Sequence, residues 1–409
     1  MKNQYNTIVI GAGHSGLLAS YYLKKENIDH IIIEKNYAGS SWTEDRWDSF
    51  TLITPNWMNN LPGIDVSKYG SNNSLLTGKE ISAMIKDFEK SFTPNILENT
   101  EVISVNKSED NFILETKTGE IFTCENIVIA TGRYSKAFTP KLSKDIPENV
   151  SQFHSADYKN PTMLPEGNVA VVGTGRSGAQ IAIELSKYGK EVFLYSGRIK
   201  AFPPVIYNTS GVYWLNRLSG YGSDDYVEYT ENELQSKSIL DKLEISIFNL
   251  PKNVHLMGRL TSYEKGILYN DDSLKENIIN CMEFSDAFLS RVHNMCESEK
   301  TSKSLDDILT YKAVLNFYSE NTVDIKEKNI TSIIWATGFR MNMDYLDLEG
   351  IHKHHGSFLD SKSNSIDNLY FMTSALDPKI GSTSGFSVGL YGATYDAERL
   401  AKVISNESK

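Results

Sequence analysis

Cysteine is scarce in this chain. Three occur in 409 residues, at Cys124, Cys281 and Cys296, and no Cys-x-x-Cys exists. Neither a disulfide framework nor a dithiol redox centre is therefore on offer. Long apolar runs are missing as well; none approaches the roughly 20 residues needed to span a bilayer. The N-terminus runs straight into a strand, without the basic and apolar segments of a secretory leader. Positive charge is in deficit: 41 Lys and Arg face 52 Asp and Glu, a net charge of -11. That argues against nucleic acid and membrane as partners. No metal site is expected either. "IHKHH" at residues 351–355 clusters histidines, but no matching cysteine or acid set accompanies it, and it reads as an exposed loop. These absences leave a cytoplasmic protein in a reducing compartment, with small molecules as partners and a homodimer left open.

What is present begins with length. At this size the chain exceeds one ordinary core and is expected to form two domains, one inserted in the other. Two segments carry the same order of strand, glycine-rich turn, helix and strand. In the first, "TIVI" is a short buried strand, residues 14–25 read as a helix, and "HIIIE" is the next strand. In the second, "NVAVV" is a strand, residues 176–188 a helix, and "EVFLY" a strand. Continuous apolar strands alternating with helices imply parallel sheets covered on both faces. The expected fold is α/β, with two Rossmann-like dinucleotide-binding domains. Between residues 101 and 124 apolar and polar residues alternate around "KTGE", which reads as a small antiparallel meander packed beside the first sheet. "YGATYDAERLAKVI" near the C-terminus reads as a helix. "NIVIATGRY" and "SIIWATGFR" each place Ala-Thr-Gly directly after a buried strand.

The glycines carry chemistry. In "GAGHSG", Gly11 allows the tight turn out of the strand, Gly13 lets a pyrophosphate approach the backbone, and Gly16 lets helix and strand pack closely. The free N–H groups of the helix start then face the phosphates. Glu34 ends the next strand, 18 residues after Gly16, where a carboxylate accepts from ribose hydroxyls. In "GTGRSG", Gly173, Gly175 and Gly178 repeat the spacing, but the following strand ends "LYSGR" rather than in an acid. Ser196 and Arg198 could hold a 2′-phosphate that a carboxylate would repel. Two turns thus imply two dinucleotides: FAD held permanently at the first, NADPH visiting the second as hydride donor.

With these motifs in view, the chain resembles the two-dinucleotide-domain flavoproteins, and within them the flavin-containing (class B) monooxygenases, including a bacterial subgroup of flavoprotein monooxygenases. The likeness covers about residues 5–200 and 330–400. "EKNYAGSSW" is similar to the family's E-K-x-x-x-G-G-x-W, with Ser40 replacing a glycine. The resemblance implies that Glu34 binds the ribose and Trp42 packs at the flavin. Lys35, Ser15, Ser41, Val102, Ala130, Thr131 and Gly132 complete the expected FAD contacts. Arg176 and Ser177 complete those to NADPH, and Thr337 and Gly338 are expected cofactor contacts as well. "RWDSFTLITPNWMNNLPG" resembles the stretch that runs under the flavin, which makes Thr54, Asn56 and Trp57 the catalytic candidates. The two Ala-Thr-Gly turns resemble crossovers between domains. "QFHSADYKNP" matches His154 and Tyr158 of the monooxygenase fingerprint, while Glu148 and Val150 stand where it has Phe and Gly. The Asn that supports the oxygenated flavin in many relatives is Ile53 here.

The implied division is an FAD-binding domain over residues 1–155 and 320–409. An NADPH-binding domain over 156–319 carries a substrate-side insertion at about 205–310. The implied activity is NADPH- and O2-dependent oxygenation of a small organic substrate at N or S. A Baeyer–Villiger or decarboxylative oxygenation, and an NAD(P)H-dependent reductase without oxygenation, stay open. By the same resemblance the glycine-rich turn before the C-terminal helix faces the flavin pyrimidine ring. "FPPVIYNTSGVYWL" is a candidate substrate entrance.

Overall fold

The computed structural model describes residues 3–108, 111–199, 201–218, 227–235, 250–298, 321–348, 366–372 and 390–407. Two parallel cores organise it. The first sheet runs Ile96–Leu97, His30–Ile33, Gln4–Ile10, Ile121–Ile129, Asn111–Thr116, Val102–Ser108, with Leu369–Phe371 also on Ile121–Ile129. Its centre is β-branched and buried on both faces, as in Ile8, Val9, Ile31 and Ile32. Helices His14–Lys25 and Leu390–Glu407 cover one face through Leu17, Leu18, Ala397 and Leu400. The α/β fold with parallel sheets read from the sequence is therefore present.

The meander read beside this sheet is part of it. Ile121–Ile129 is long enough to serve two neighbours. Its first half pairs antiparallel with Asn111–Thr116, while its other edge pairs parallel with Gln4–Ile10. The sheet simply continues.

The second sheet is wholly parallel, in the order Ser151–His154, Ile330–Trp335, Asn168–Val172, Val192–Tyr195, Val254–Met257. Helix Arg176–Lys187 covers it with Ile181, Ala182 and Leu185 against Val169, Val171 and Leu194. Here the strands divide the chain differently from the sequence reading. Ser151–His154 and Ile330–Trp335 fall inside residues 1–155 and 320–409, yet both pair in the second sheet. Val254–Met257 falls inside the insertion read at about 205–310, yet it pairs with Val192–Tyr195 as a core strand. Short apolar runs show burial but not which sheet buries them, because pairing partners are distant in sequence.

Among the described residues the insertion stretch also holds strands Leu260–Glu264 and Ile267–Asn270, which form a small antiparallel sheet with Thr322–Asp324, besides the hairpin Val205–Ile206/Thr209–Ser210, helix Gly211–Leu218 and helix Leu274–Ser298. The hairpin and these two helices pack on the first unit at Met58 and Trp57. Among the described residues no helix is long and apolar enough to cross a membrane. Residues 351–355 and the glycine-rich turn before the C-terminal helix lie outside the described residues.

Candidate functional site

The two glycine-rich turns are built alike. Gly11 has φ 103° and Gly173 φ 113°, a left-handed conformation that side chains rarely adopt. A Cβ on Gly11 would sit 2.7 Å from the Ala130 carbonyl oxygen, and one on Gly173 would sit 2.3 Å from that of Ala336. Each Ala-Thr-Gly turn therefore backs its own dinucleotide turn. A Cβ on Gly16 or Gly178 would fall 1.8 Å from the carbonyl oxygen of Gly11 or Gly173. Packing alone dictates these four glycines. Gly13 and Gly175 are different, because a Cβ there would meet nothing within 4 Å. Both have ordinary extended backbone, φ -69° and -65°. Nothing in the protein requires glycine at either position, whereas a pyrophosphate lying against the backbone does. The open cradles at Gly13 and Gly175 thus fit two dinucleotides, each at a helix N-terminus.

The ribose ends differ. Glu34 is buried, and its carboxylate accepts from the Ala12 amide at 2.6 Å and the Asn36 amide at 2.9 Å. Two backbone donors aim it beside the first turn, and a carboxylate retains further lone pairs for hydroxyl donors. Lys35 beside it is exposed. At the second turn Ser196 is fully buried and its hydroxyl has no partner. Arg198 is exposed at the same strand end. Arg259, which the sequence reading missed, also reaches this place: its guanidinium lies 3.6 Å from where a Gly197 Cβ would be. Pairing of Val254–Met257 with Val192–Tyr195 delivers it, and no local motif announces it. A buried hydroxyl and two arginines supply donors suited to a phosphate dianion.

His14 opens the first helix. Burial pushes its imidazole down to about 4, so it faces the turn neutral, with Nε2 3.1 Å from the Ser15 hydroxyl. Trp42 lies beyond it at 6.0 Å between ring centroids. Ser41 and Trp42 are half-buried in the short helix Ser40–Trp42. Val102 starts the meander strand. Thr131 keeps a buried hydroxyl in the first Ala-Thr-Gly turn, beside the Tyr345 phenol.

The segments after the two Ala-Thr-Gly turns meet: Lys136–Ala137 pairs antiparallel with Phe339–Arg340. His154 locks this crossing. The Ala156 amide donates to Nδ1 at 3.1 Å, so Nε2–H donates to the Gly338 carbonyl at 2.9 Å. Its ring meets Phe339 edge-on at 4.8 Å. Both ring nitrogens are engaged by backbone, which makes His154 a packing residue rather than a base. Tyr158 is fully buried and donates to Glu184 at 2.7 Å.

Thr54, Asn56 and Trp57 come together at the end of strand Thr51–Pro55. Thr54 donates to the Asn59 side chain at 2.7 Å. Asn56 donates to the Val66 and Gly70 carbonyls, both at 2.8 Å, and is fully buried. That is a loop-pinning role, leaving only its Oδ1 without a partner. Trp57 has a buried indole N–H without a partner and stacks near Tyr213. Arg176 and Ser177 begin the second helix, and Thr337 and Gly338 form the second Ala-Thr-Gly turn. Among the described residues no group of His, Cys, Asp and Glu could hold a metal ion.

Comparison with known proteins agrees with this geometry. Residues 8–215 match the family described as pyridine nucleotide-disulphide oxidoreductase. The chain is 32% identical over 405 residues to the protein named uncharacterized oxidoreductase CzcO of Bacillus subtilis (strain 168), covering 98% of this chain and 100% of that one. It is 28% identical over 202 residues to senecionine N-oxygenase of Tyria jacobaeae, covering 44% of each. Its fold is similar to that of a flavin-containing monooxygenase from Stenotrophomonas maltophilia, with TM-score 0.66, 18% identity and 100% of both chains covered.

Proposed function

The chain belongs to the pyridine nucleotide-disulphide oxidoreductase family, and from that premise we propose that it is an FAD- and NADPH-dependent monooxygenase that oxygenates a small organic substrate at nitrogen or sulfur. The observation that carries the reading is the pair of open glycine cradles with opposite ribose ends: a carboxylate at the first, a hydroxyl and two arginines at the second. Bound FAD would supply a ring that accepts hydride and reacts with O2. The chain's own residues then divide the work. Gly13, Ser15, Glu34 and Trp42 hold the first nucleotide. Gly175, Arg176, Ser177, Ser196, Arg198 and Arg259 hold the second.

The electrons have no dithiol to go to. Cys124, Cys281 and Cys296 are all buried, and burial pushes the Cys124 and Cys281 thiols up, away from the reactive thiolate. That favours an external acceptor, and the N-oxygenase likeness supports O2 in that role. A second reading, a reductase without oxygenation, draws on Ile53, which offers no polar group where many relatives carry Asn, and on Asn56, whose amide is committed to its own loop.

The test is anaerobic reduction of the purified yellow protein with NADPH, then rapid mixing with oxygenated buffer. A long-lived species with a single near-ultraviolet band, before oxidised flavin returns, is expected. Immediate return to oxidised flavin with stoichiometric peroxide, with amines and sulfides present, supports the reductase instead. No reduction by NADPH overturns the assignment of the second turn.

A further inference from the structure

We propose that Tyr207 is a redox-active tyrosine, the end of a one-electron relay Trp57–Tyr213–Trp214–Tyr207 that releases its proton to His293. The relay starts at the segment assigned above to the flavin and ends at the surface of helix Leu274–Ser298.

Backbone strain first singles Tyr207 out. Strands Val205–Ile206 and Thr209–Ser210 form a hairpin turned by Tyr207 and Asn208, at φ 51° and 56°. Two left-handed residues suit such a turn, but Asn and Gly supply them without strain, and a bulky aromatic does not. Something must hold Tyr207 there. Its ring is 2% exposed, and its hydroxyl lies 2.8 Å from His293 Nδ1. His293 Nε2 lies 3.3 Å from a carboxylate oxygen of Glu297, one turn along the same helix. The carboxylate can only accept, so Nε2 carries the proton and Nδ1 is left to receive the phenol's. Glu297 is largely exposed, its side chain at 67%. The triad thus runs from a buried phenol through an oriented imidazole to solvent.

An unbroken file of electron-rich rings leads inward from Tyr207. Its ring meets Trp214 edge-on at 6.1 Å between centroids. Trp214 meets Tyr213 at 5.0 Å, and Tyr213 meets Trp57 at 5.7 Å. All three separations are contact distances for aromatic pairs. Tyr213 and Trp214 are almost fully buried, at 1% and 3%. Packing alone asks only for apolar bulk, which leucine and phenylalanine also supply. Indole and phenol differ from them in giving up an electron readily, and the Tyr207 phenol has a base waiting for its proton.

The step balances as follows. A one-electron oxidant takes an electron from Trp57. The vacancy crosses the Tyr213 ring to Trp214. Tyr207 then fills it: its O–H bond breaks, the electron goes to Trp214 and the proton to His293 Nδ1. The products are neutral Trp214, a neutral tyrosyl radical, and an imidazolium whose Nε2–H faces the Glu297 carboxylate. A thiol-class reductant from solution returns one electron, and the proton returns from His293. The oxidant is of the hydroxyl- or peroxyl-radical class, derived from the peroxide that reduced flavin and O2 release when no substrate is present. The physiological use therefore rests on the function proposed above, while the relay itself does not.

The test is pulse radiolysis of the purified full-length protein with azide radicals, which oxidise indoles first. We expect the tryptophan radical to decay while a tyrosyl radical grows in, at a rate independent of protein concentration. Tyr207→Phe, which keeps the ring, should abolish that phase, and Trp214→Phe should do the same by breaking the file. His293→Gln should slow it about tenfold or more, as loss of a positioned base does. Retention of the phase at unchanged rate and amplitude in Tyr207→Phe, or in His293→Gln, overturns the proposal. The measurement needs no flavin. Loss of the phase from the unmodified protein while flavin and NADPH still react sinks the relay alone. A normal phase in a protein that binds neither sinks the function alone.

Discussion

Six glycines occupy matching places in the two dinucleotide turns, but they are not equivalent. Gly16 and Gly178 are pressed against backbone carbonyls and admit no side chain. Gly13 and Gly175 face open space in a conformation alanine adopts freely. Gly175→Ala should therefore fold normally, with stability within about 0.5 kcal/mol of the parent. Its affinity for NADPH should fall about tenfold or more, because the methyl occupies the place of the pyrophosphate. Gly178→Ala should destabilise the second unit outright. Urea unfolding and NADPH titration of the two variants separate the cases. If Gly175→Ala binds NADPH as the parent does, the cradle is not a phosphate site. The glycine spacing itself was legible in the sequence, since it is a local pattern. Which glycines serve the fold and which serve a ligand was not, because the answer lies with Ala130 and Ala336, far along the chain.

At the scale of elements, local signals and distant pairings part company. The helix read over residues 14–25 is His14–Lys25, bounded by the glycine turn before it and by Asn27 at φ 59° after it. The second helix ends at Lys187, one residue short of the reading, because Gly189 at φ 92° closes it. Strand partners were less legible. Val254–Met257 lay in a stretch with no clear period, and only its pairing with Val192–Tyr195 places Arg259 over the Ser196–Arg198 strand end. The catalytic candidates show the same limit: proximity to Pro55 identified Asn56, but the carbonyls of Val66 and Gly70 decide what its amide does. This pairing carries its own prediction. Arg198→Ala and Arg259→Ala should each raise KM for NADPH by about 10- to 100-fold, the loss of one charge-assisted hydrogen bond of roughly 1.5–3 kcal/mol. KM for NADH, which lacks the 2′-phosphate, should hardly change. Steady-state flavin reduction with both nucleotides measures this. An unchanged NADPH/NADH ratio in Arg259→Ala would remove that residue from the site.

The whole molecule joins its two sheets at a crossing that one neutral histidine locks. His154 spans the crossing, accepting from Ala156 on Nδ1 and donating to Gly338 from Nε2, which only an uncharged ring can do. Burial lowers its pKa, as it does those of His30 and His14, the last to about 4. The sign of the consequence follows from proton counting. Below the ordinary histidine value of 6.5 the unfolded chain takes up protons that the folded chain refuses. Stability is therefore full above that pH, declines as pH falls through this window, and levels off for His14 only below about 4. The flavin-free protein should thus lose urea midpoint between about pH 7 and pH 5. His14→Gln, which cannot titrate, should shrink that loss. Filling the first site should act the other way on His14, because phosphates beside the ring favour its charged form and raise its pKa. The pH-dependent loss in the FAD-loaded protein should then be smaller than in the flavin-free protein, and His14→Gln should change it less. An equal loss in all four samples would mean that His14 neither feels burial nor stands beside a phosphate site.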